Sequence, residues 1–212
     1  FFWGGSGSLR PHPRLTFAVH RAAMLGGEGS SVTARALLNS LIGRVEGIGF
    51  ENQVVSGEGV FRMPTESVIP LTLYAEWGAE DAAGSWWDVP GRIIGIYAPS
   101  VPGVESTSAG VEYTEFAASC CGNPEWYRHW SFPGSWATGD QPLGHPLGGH
   151  GSELLVLTET HLMDARLRLD WRFFARRRGA CRDPLLDRLG VAEEIRISLV
   201  QSLLIEVSGV RE

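Results

Sequence analysis

The chain contains no lysine: all 18 of its basic residues are arginine. That absence reflects genome composition more than chemistry. The formal net charge is −6, and the one basic cluster is Arg176-Arg177-Arg178. Nothing here offers nucleic acid a track of phosphate contacts. The cluster sits at a strand end, where it reads as a solvated turn or as a contact for an anion or lipid headgroup. Cysteine is scarce. Cys120 and Cys121 are neighbours, which rarely pair with each other, and either could bridge Cys181 in an oxidising compartment. No spacing suits zinc. His129, His145, His150 and His161 show no helical ligand pattern either, so no metal is expected.

Long apolar runs are missing too. No stretch reaches the roughly 18 residues that a membrane-spanning helix needs. A mean hydropathy of −0.03 still leaves room for a membrane protein, because a barrel strand is only half apolar. Nucleophile-elbow, P-loop and dinucleotide-binding signatures are absent, so the reactions they serve have no support. The chain opens Phe-Phe-Trp rather than Met. It reads as an excised or processed piece, and the lack of an export signal says nothing about export.

What is present is alternation. In Asp164-Ala-Arg-Leu-Arg-Leu-Asp-Trp-Arg-Phe173 the even positions are Asp164, Arg166, Arg168, Asp170 and Arg172. The odd positions are Ala165, Leu167, Leu169, Trp171 and Phe173. A period of two is a β-strand with its charges on one face and its apolar groups on the other. An amphipathic surface strand can look this way. A transmembrane β-barrel has a reason for it: one face meets lipid, and the other meets a polar lumen where Arg and Asp pair. Arg166, Arg168, Asp170 and Arg172 are then lumen-facing structural charges.

Arg14–His20, Pro70–Trp77, Gly110–Phe116, Glu153–His161 and Ile195–Val207 alternate as well. The last is about the 9–11 residues of a tilted membrane strand. Trp77, Trp171 and Phe173 are placed near strand ends, as an interfacial girdle requires. Residues 32–45 instead carry apolar groups three and four apart, a short helix with Ser30 or Ser31 as cap and Gly43 or Gly47 near its end. The 27 Gly and 12 Pro suit many tight turns. Loops are expected at Gly26–Ser31, Ala82–Ser85 and Ser119–Pro124.

The candidate binding residues lie in one aromatic stretch running from Asn123 into Ser152. Trp126, Tyr127, Trp130 and Trp136 offer flat faces, and Arg128, His129, Asp140 and Gln141 offer hydrogen bonds beside them. Sugar rings need both, a C–H face to stack and partners for hydroxyls. The same aromatics could equally pack the loop onto its own strands. Paired carboxylates for glycoside hydrolysis are not evident. Glu112 and Glu115 fall on opposite faces of their strand, and Glu76, Glu80 and Asp81 are uncommitted.

An ordered set of short motifs then stands out. Asn52-Gln53 precedes a Gly-rich strand ending Arg62-Met-Pro64. Leu73-Tyr-Ala-Glu-Trp-Gly-Ala-Glu-Asp81, Gly91-Arg-Ile-Ile-Gly95 and Val111-Glu-Tyr-Thr-Glu115 follow. Tyr127-Arg-His129, Pro142-Leu-Gly-His145 and Gly148-Gly-His-Gly-Ser152 close the series. Across roughly residues 14 to 175 this resembles the capsule assembly protein Wzi family. The resemblance implies an all-β, antiparallel transmembrane β-barrel in the outer membrane of a Gram-negative bacterium, with periplasmic helical elements. It implies a lectin-like role, holding capsular or extracellular polysaccharide at the cell surface without catalysis or cofactor. Outer-membrane lipid is the other expected partner. Family members are about twice as long, so the chain reads as one domain forming the C-terminal part of a larger barrel, with eight to ten strands. It departs from the family pattern at Glu58 or Gly59, at Phe132 and at His150, which bears on glycan specificity more than on fold. A porin-like channel and a secreted carbohydrate-active β-protein are the rival readings.

Overall fold

The computed structural model describes residues 1–26, 31–42, 51–80, 90–104, 106–116, 126–127, 137–138, 141–145, 147, 151–162, 167–178 and 194–205. The strands in chain order are β1 (Phe2–His12), β2 (Leu15–Leu25), β3 (Glu51–Arg62), β4 (Thr72–Glu80), β5 (Gly91–Ala98), β6 (Thr107–Phe116), β7 (Ala137–Thr138), β8 (Gln141–Pro142), β9 (Gly151–Leu162), β10 (Leu167–Arg178) and β11 (Glu194–Ile205). One helix, α1 (Ala34–Ile42), lies between β2 and β3. Among the described residues no helix is long and apolar enough to cross a membrane.

Nine strands form one antiparallel sheet in the order β1-β2-β3-β4-β5-β6-β9-β10-β11, and β7 pairs β8 separately. Every neighbour pair is antiparallel, and each strand pairs with the nearest long strand in sequence. This is the up-and-down meander from which closed barrels are built. The sheet is open, with β1 and β11 as its edges. Its strands number within the expected eight to ten.

Register decides which residues share a face. One row across the sheet reads Leu15, Phe61, Leu73, Ile96, Val111, Val156, Phe173. The next reads Phe17, Gly59, Ala75, Ile94, Tyr113, Leu154, Ala175. Most of these large side chains are exposed. A continuous exposed apolar band is unfavourable in water and suits hydrocarbon, the outer face that a membrane barrel requires.

Residues one position along point the other way. There His20 Nε2 lies 3.2 Å from Glu58, Tyr74 donates to Glu112 at 2.7 Å, and Arg168 bridges Glu159 at 2.7 Å and Asp170 at 2.9 Å. Ser56 donates to Glu76, and Arg176 pairs with Glu153. Polar groups that must be removed from lipid satisfy one another on the inner face.

The connections differ between the two ends. Residues 13–14, 63–71, 99–106 and 163–166 join strands at one end, whereas 26–50, 81–90, 117–150 and 179–193 join them at the other. The two longest connections, 26–50 and 117–150, thus share one rim, an asymmetry that outer-membrane barrels commonly show.

Several sequence expectations change in detail. Trp171 and Phe173 sit inside β10 and belong to the exposed apolar band, so they are not rim residues. The Arg176-Arg177-Arg178 cluster is the end of β10 itself. Arg176 is half-buried and ion-paired, which replaces the solvated turn. The strand starting at Arg14 runs on to Leu25. A first strand, β1, was not expected, because its Gly-Gly-Ser-Gly-Ser core carries no apolar alternation. The helix expected over 32–45 is α1, capped by Thr33, whose Oγ1 accepts from Ala36 N at 3.1 Å. Neither Ser30 nor the two candidate terminal glycines can be compared, since 27–30 and 43–50 lie outside the described residues. The same holds for most of the loop at Gly26–Ser31, for the other two expected loops, and for Cys120, Cys121 and Cys181.

Candidate functional site

Trp126 and Tyr127 lie against the inner face of the sheet at its long-connection end. Trp126 is 3 % exposed and packs with Phe116 and Leu147, against which Val54 and Tyr127 also rest. The Phe116 and Trp126 rings lie 5.1 Å apart, and Phe116 and Tyr127 meet edge-on at 5.6 Å. Such tilted contacts favour the ring quadrupoles.

Glycines on the barrel wall admit these rings. A Cβ on Gly91 would meet Phe116 and Trp126 at 2.9 Å, and one on Gly78 would meet Trp126 at 3.3 Å. On the loop side, Gly144 faces Tyr127, where a Cβ would lie 2.7 Å from the ring.

Glu80 at the end of β4 holds the turn. Its two carboxylate oxygens each accept from Tyr127 N at 2.9 Å. Tyr127 has a φ of 66°, the left-handed region that a bulky residue seldom adopts. The charged acceptor and the ring packing together hold that conformation.

What remains between wall and turn is a cavity of about 380 Å³, lined mainly by Ser56, Glu76, Phe116, Trp126, Tyr127 and His145. His145 N–H donates to the Tyr127 hydroxyl at 3.4 Å, and Leu147 N–H donates to His145 Nδ1 at 3.1 Å. Burial lowers the His145 pKa below its ordinary 6.5, so the ring is held neutral. Burial, opposed by the His145 amide and reinforced by Glu80 and Glu76, pushes the Tyr127 phenol up to about 12. The cavity therefore offers aromatic surface, a hydroxyl, a neutral imidazole and a carboxylate.

Of the residues named from sequence, Trp126 and Tyr127 come together here. Trp126 is a packed ring that lines the space, and Tyr127 lines it beside the carboxylate of Glu76, with its hydroxyl accepting from His145 N–H. Arg128, His129, Trp130, Trp136 and Asp140 lie outside the described residues, as does Arg166. Arg168, Asp170 and Arg172 share the inner face with Glu159 and Arg176. Arg172 is exposed there. Glu112 and Glu115 do fall on opposite faces: Glu112 receives Tyr74, and Glu115 pairs with Arg92 on the outside at 3.1 Å.

Sequence reasoning passed over Ser56, Gly78, Gly91 and Phe116, and left Glu76 and Glu80 unassigned. The signal for them was parity. Counting inward-facing positions on β3, β4, β5 and β6 toward the long-loop end collects all six.

An open meander with an exposed apolar outer band and a polar, ion-paired inner face defines the class: an antiparallel β-barrel of the outer-membrane type. The chain belongs to the capsule assembly protein Wzi family, which it matches over residues 1–197. Its fold is similar to that of the solved Escherichia coli protein described as "Wzi, an outer membrane protein involved in group 1 capsule assembly" and as a carbohydrate-binding β-barrel. The TM-score is 0.61 at 19 % identity, over 84 % of this chain and 38 % of that one. The matched part thus spans well under half of that protein's length. No curated protein sequence matches the chain.

Proposed function

We propose that this chain is the C-terminal part of a larger outer-membrane barrel that binds capsular or extracellular polysaccharide at the cell surface without turning it over. The observation that carries the reading is the cavity beneath the Trp126-Tyr127 turn. It lies at the long-connection end, which in barrels of this type faces the exterior. Its volume of about 380 Å³ is within the range of small-ligand sites and suits one or two sugar units rather than a long chain. Aromatic edges beside a carboxylate and a hydroxyl match the alternating C–H and O–H character of a sugar ring. The Escherichia coli relative is described as carbohydrate-binding, which supports the same class of ligand.

A binding rather than hydrolytic role is supported by how the inner carboxylates are used. Glu58 faces His20, Glu76 receives Ser56, Glu80 receives Tyr127 N–H, and Glu112 receives Tyr74. Glu153 pairs with Arg176, while Glu159 and Asp170 share Arg168. Each described carboxylate of the lumen has a structural partner.

The test uses the full-length protein in lipid nanodiscs, with polysaccharide purified from the source strain. Wild type should bind. Tyr127→Ala and Glu76→Gln should each weaken binding at least several-fold while keeping heat-dependent gel mobility, the mark of a folded barrel. Reducing ends should not accumulate on incubation. Equal affinity in both variants would move the site elsewhere. Glycan release would revive the enzyme reading, and large steady conductance in planar bilayers would favour the channel.

A further inference from the structure

The outer column of β2 is Leu15, Phe17, Val19, Arg21, Ala23 and Leu25, by alternation from the exposed Phe17 and Val19. The column should be lipid-exposed throughout, yet Ala23 and Leu25 are 0 % and 1 % exposed. Something covers its upper end. Trp3, paired with Ala23 and in phase with the exposed Leu9 of β1, donates from Nε1 to Ser40 Oγ at 2.8 Å. Ser40 belongs to α1, which packs against β2. The helix therefore lies on the outside of the barrel, over the β1-β2 end of the sheet.

Its exposed side is apolar. Toward the sheet lie Ala36 and Leu37, both half-buried, with Ser40 fully buried between them, and Asn39, whose Nδ2 is buried, stands on the flank. The side turned away from the sheet carries Ala34, Leu38 and Leu41, at i, i+4 and i+7, and all three are exposed. Leu38 is 62 % exposed and Leu41 50 %, and Val32 just before the helix is exposed as well. A surface helix in water turns polar residues outward, where this one turns Leu38 and Leu41.

The height of this apolar stripe fits the band on the strands. Along the outer face, charge appears on β5 and β6 at Arg92 and Glu115, in the row that contains Val19 of β2. On β3 the row beyond it still holds Val55, and polarity first appears at Gln53, opposite Ala23. The upper limit of the apolar band therefore climbs toward β1, as strand tilt requires. At β2 it reaches the level of α1. Arg21, the one charge within the column, donates to Gln53.

We propose that α1 is an interfacial membrane helix. It lies along the outside of the barrel at the long-connection rim, with Leu38 and Leu41 in the acyl-chain boundary of the lipid. Its occupant is lipid because the stripe continues the exposed apolar surface of the strands, interrupted on β2 by Arg21 alone, which donates from one terminal nitrogen to Gln53 while its buried Nε has no partner. An amphipathic segment of this kind buries its apolar side only a few ångströms into the boundary and would brace the 26–50 connection against the membrane.

The experiment uses full-length protein, with Cys120, Cys121 and Cys181 replaced by Ser, reconstituted into vesicles of outer-membrane lipid. Single cysteines placed by Leu38→Cys, Leu41→Cys and, as a lipid-facing reference, Ile94→Cys carry nitroxide labels. Oxygen, which partitions into lipid, should relax labels 38 and 41 more than a water-soluble nickel chelate does, as at 94. Relaxation dominated by the chelate would put the helix in water and overturn the proposal. Protection from both reagents would also overturn it, by showing that another part of the protein or a second copy covers the stripe. Should labelled variants fail to show heat-dependent mobility, wild-type protein and a photoactivatable lipid serve instead. The tryptic peptide 36–44, bounded by Arg35 and Arg44, should carry the lipid adduct, and its absence alongside labelled β5 peptides would sink the idea.

Discussion

Tyr127 donates its backbone N–H to both carboxylate oxygens of Glu80, at 2.9 Å each, across 47 residues of sequence. One end of β4 thereby holds a turn that arrives after two further strands, with a backbone conformation that its side chain disfavours. Removing the acceptor leaves a half-buried amide unsatisfied, at roughly 1–3 kcal/mol. Glu80→Ala should therefore free the turn, whereas Glu80→Gln, which keeps one acceptor oxygen, should be milder. Limited proteolysis of the intact barrel reads this directly. Faster cleavage within 117–150 is expected for Ala, and equal rates for Ala and wild type would mean that ring packing alone fixes the turn.

The glycine at position 91 is a steric requirement. An alanine Cβ there would sit 2.9 Å from carbons of Phe116 and Trp126, closer than ring atoms can accept. Overpacking of this kind costs about 1–3 kcal/mol. Gly57 has nothing within 4 Å of the same position, so Gly57→Ala is the matched control. Gly91→Ala should lower the temperature at which the folded gel band disappears and weaken glycan binding. Gly57→Ala should do neither.

Glu153 and Arg176 form the most buried ion pair described, with side chains 8 % and 17 % exposed. Breaking such a pair from one side is far worse than removing both charges, because the survivor stays desolvated, at about 3–5 kcal/mol. Glu153→Ala should therefore impair assembly more than Glu153→Ala combined with Arg176→Met. The heat-modifiable band after refolding measures both, and a double variant as poor as the single one would show that Arg176 matters through another contact.

Much of this was legible in the sequence, and the reason is periodicity. A lipid-facing barrel strand must alternate, so β10 declared itself through Leu167, Leu169, Trp171 and Phe173 against Arg168, Asp170 and Arg172. β1 did not, because Gly4, Gly5 and Gly7 have no side chain to carry a pattern. The helix was legible from 37, 38, 41 and 42, but not which side would meet the sheet. The buried side turned out to hold Ser40, whose hydroxyl accepts from Trp3 Nε1 and donates to the Leu37 carbonyl. At the site, aromatic composition pointed to Trp126 and Tyr127. It could not distinguish the packed ring from the one bordering the cavity, since that depends on which wall residues are glycine. Glu80 looked uncommitted because its partner is a backbone amide, which leaves no trace in composition.

His145 gives the site a pH dependence with a definite sign. Burial lowers its pKa below 6.5, and its Nδ1 accepts from Leu147 N–H while its ring lies 5.6 Å from Phe116. The folded state thus prefers the neutral ring, and protonation at Nδ1 would abolish the accepted bond. A group depressed on folding contributes stability that is complete above the unfolded value. The contribution is lost as pH falls from about 6.5 toward the lower folded value, because the unfolded form then binds the proton more readily. Loop packing, and with it glycan affinity, should hold at pH 7.5 and weaken below about pH 6.5. His145→Phe keeps a flat ring without a titrating nitrogen, at the loss of the Leu147 bond. Its affinity should be lower than wild type at pH 7.5 but flat across the acidic range. A variant that keeps the wild-type pH profile would show that His145 is not the group behind it.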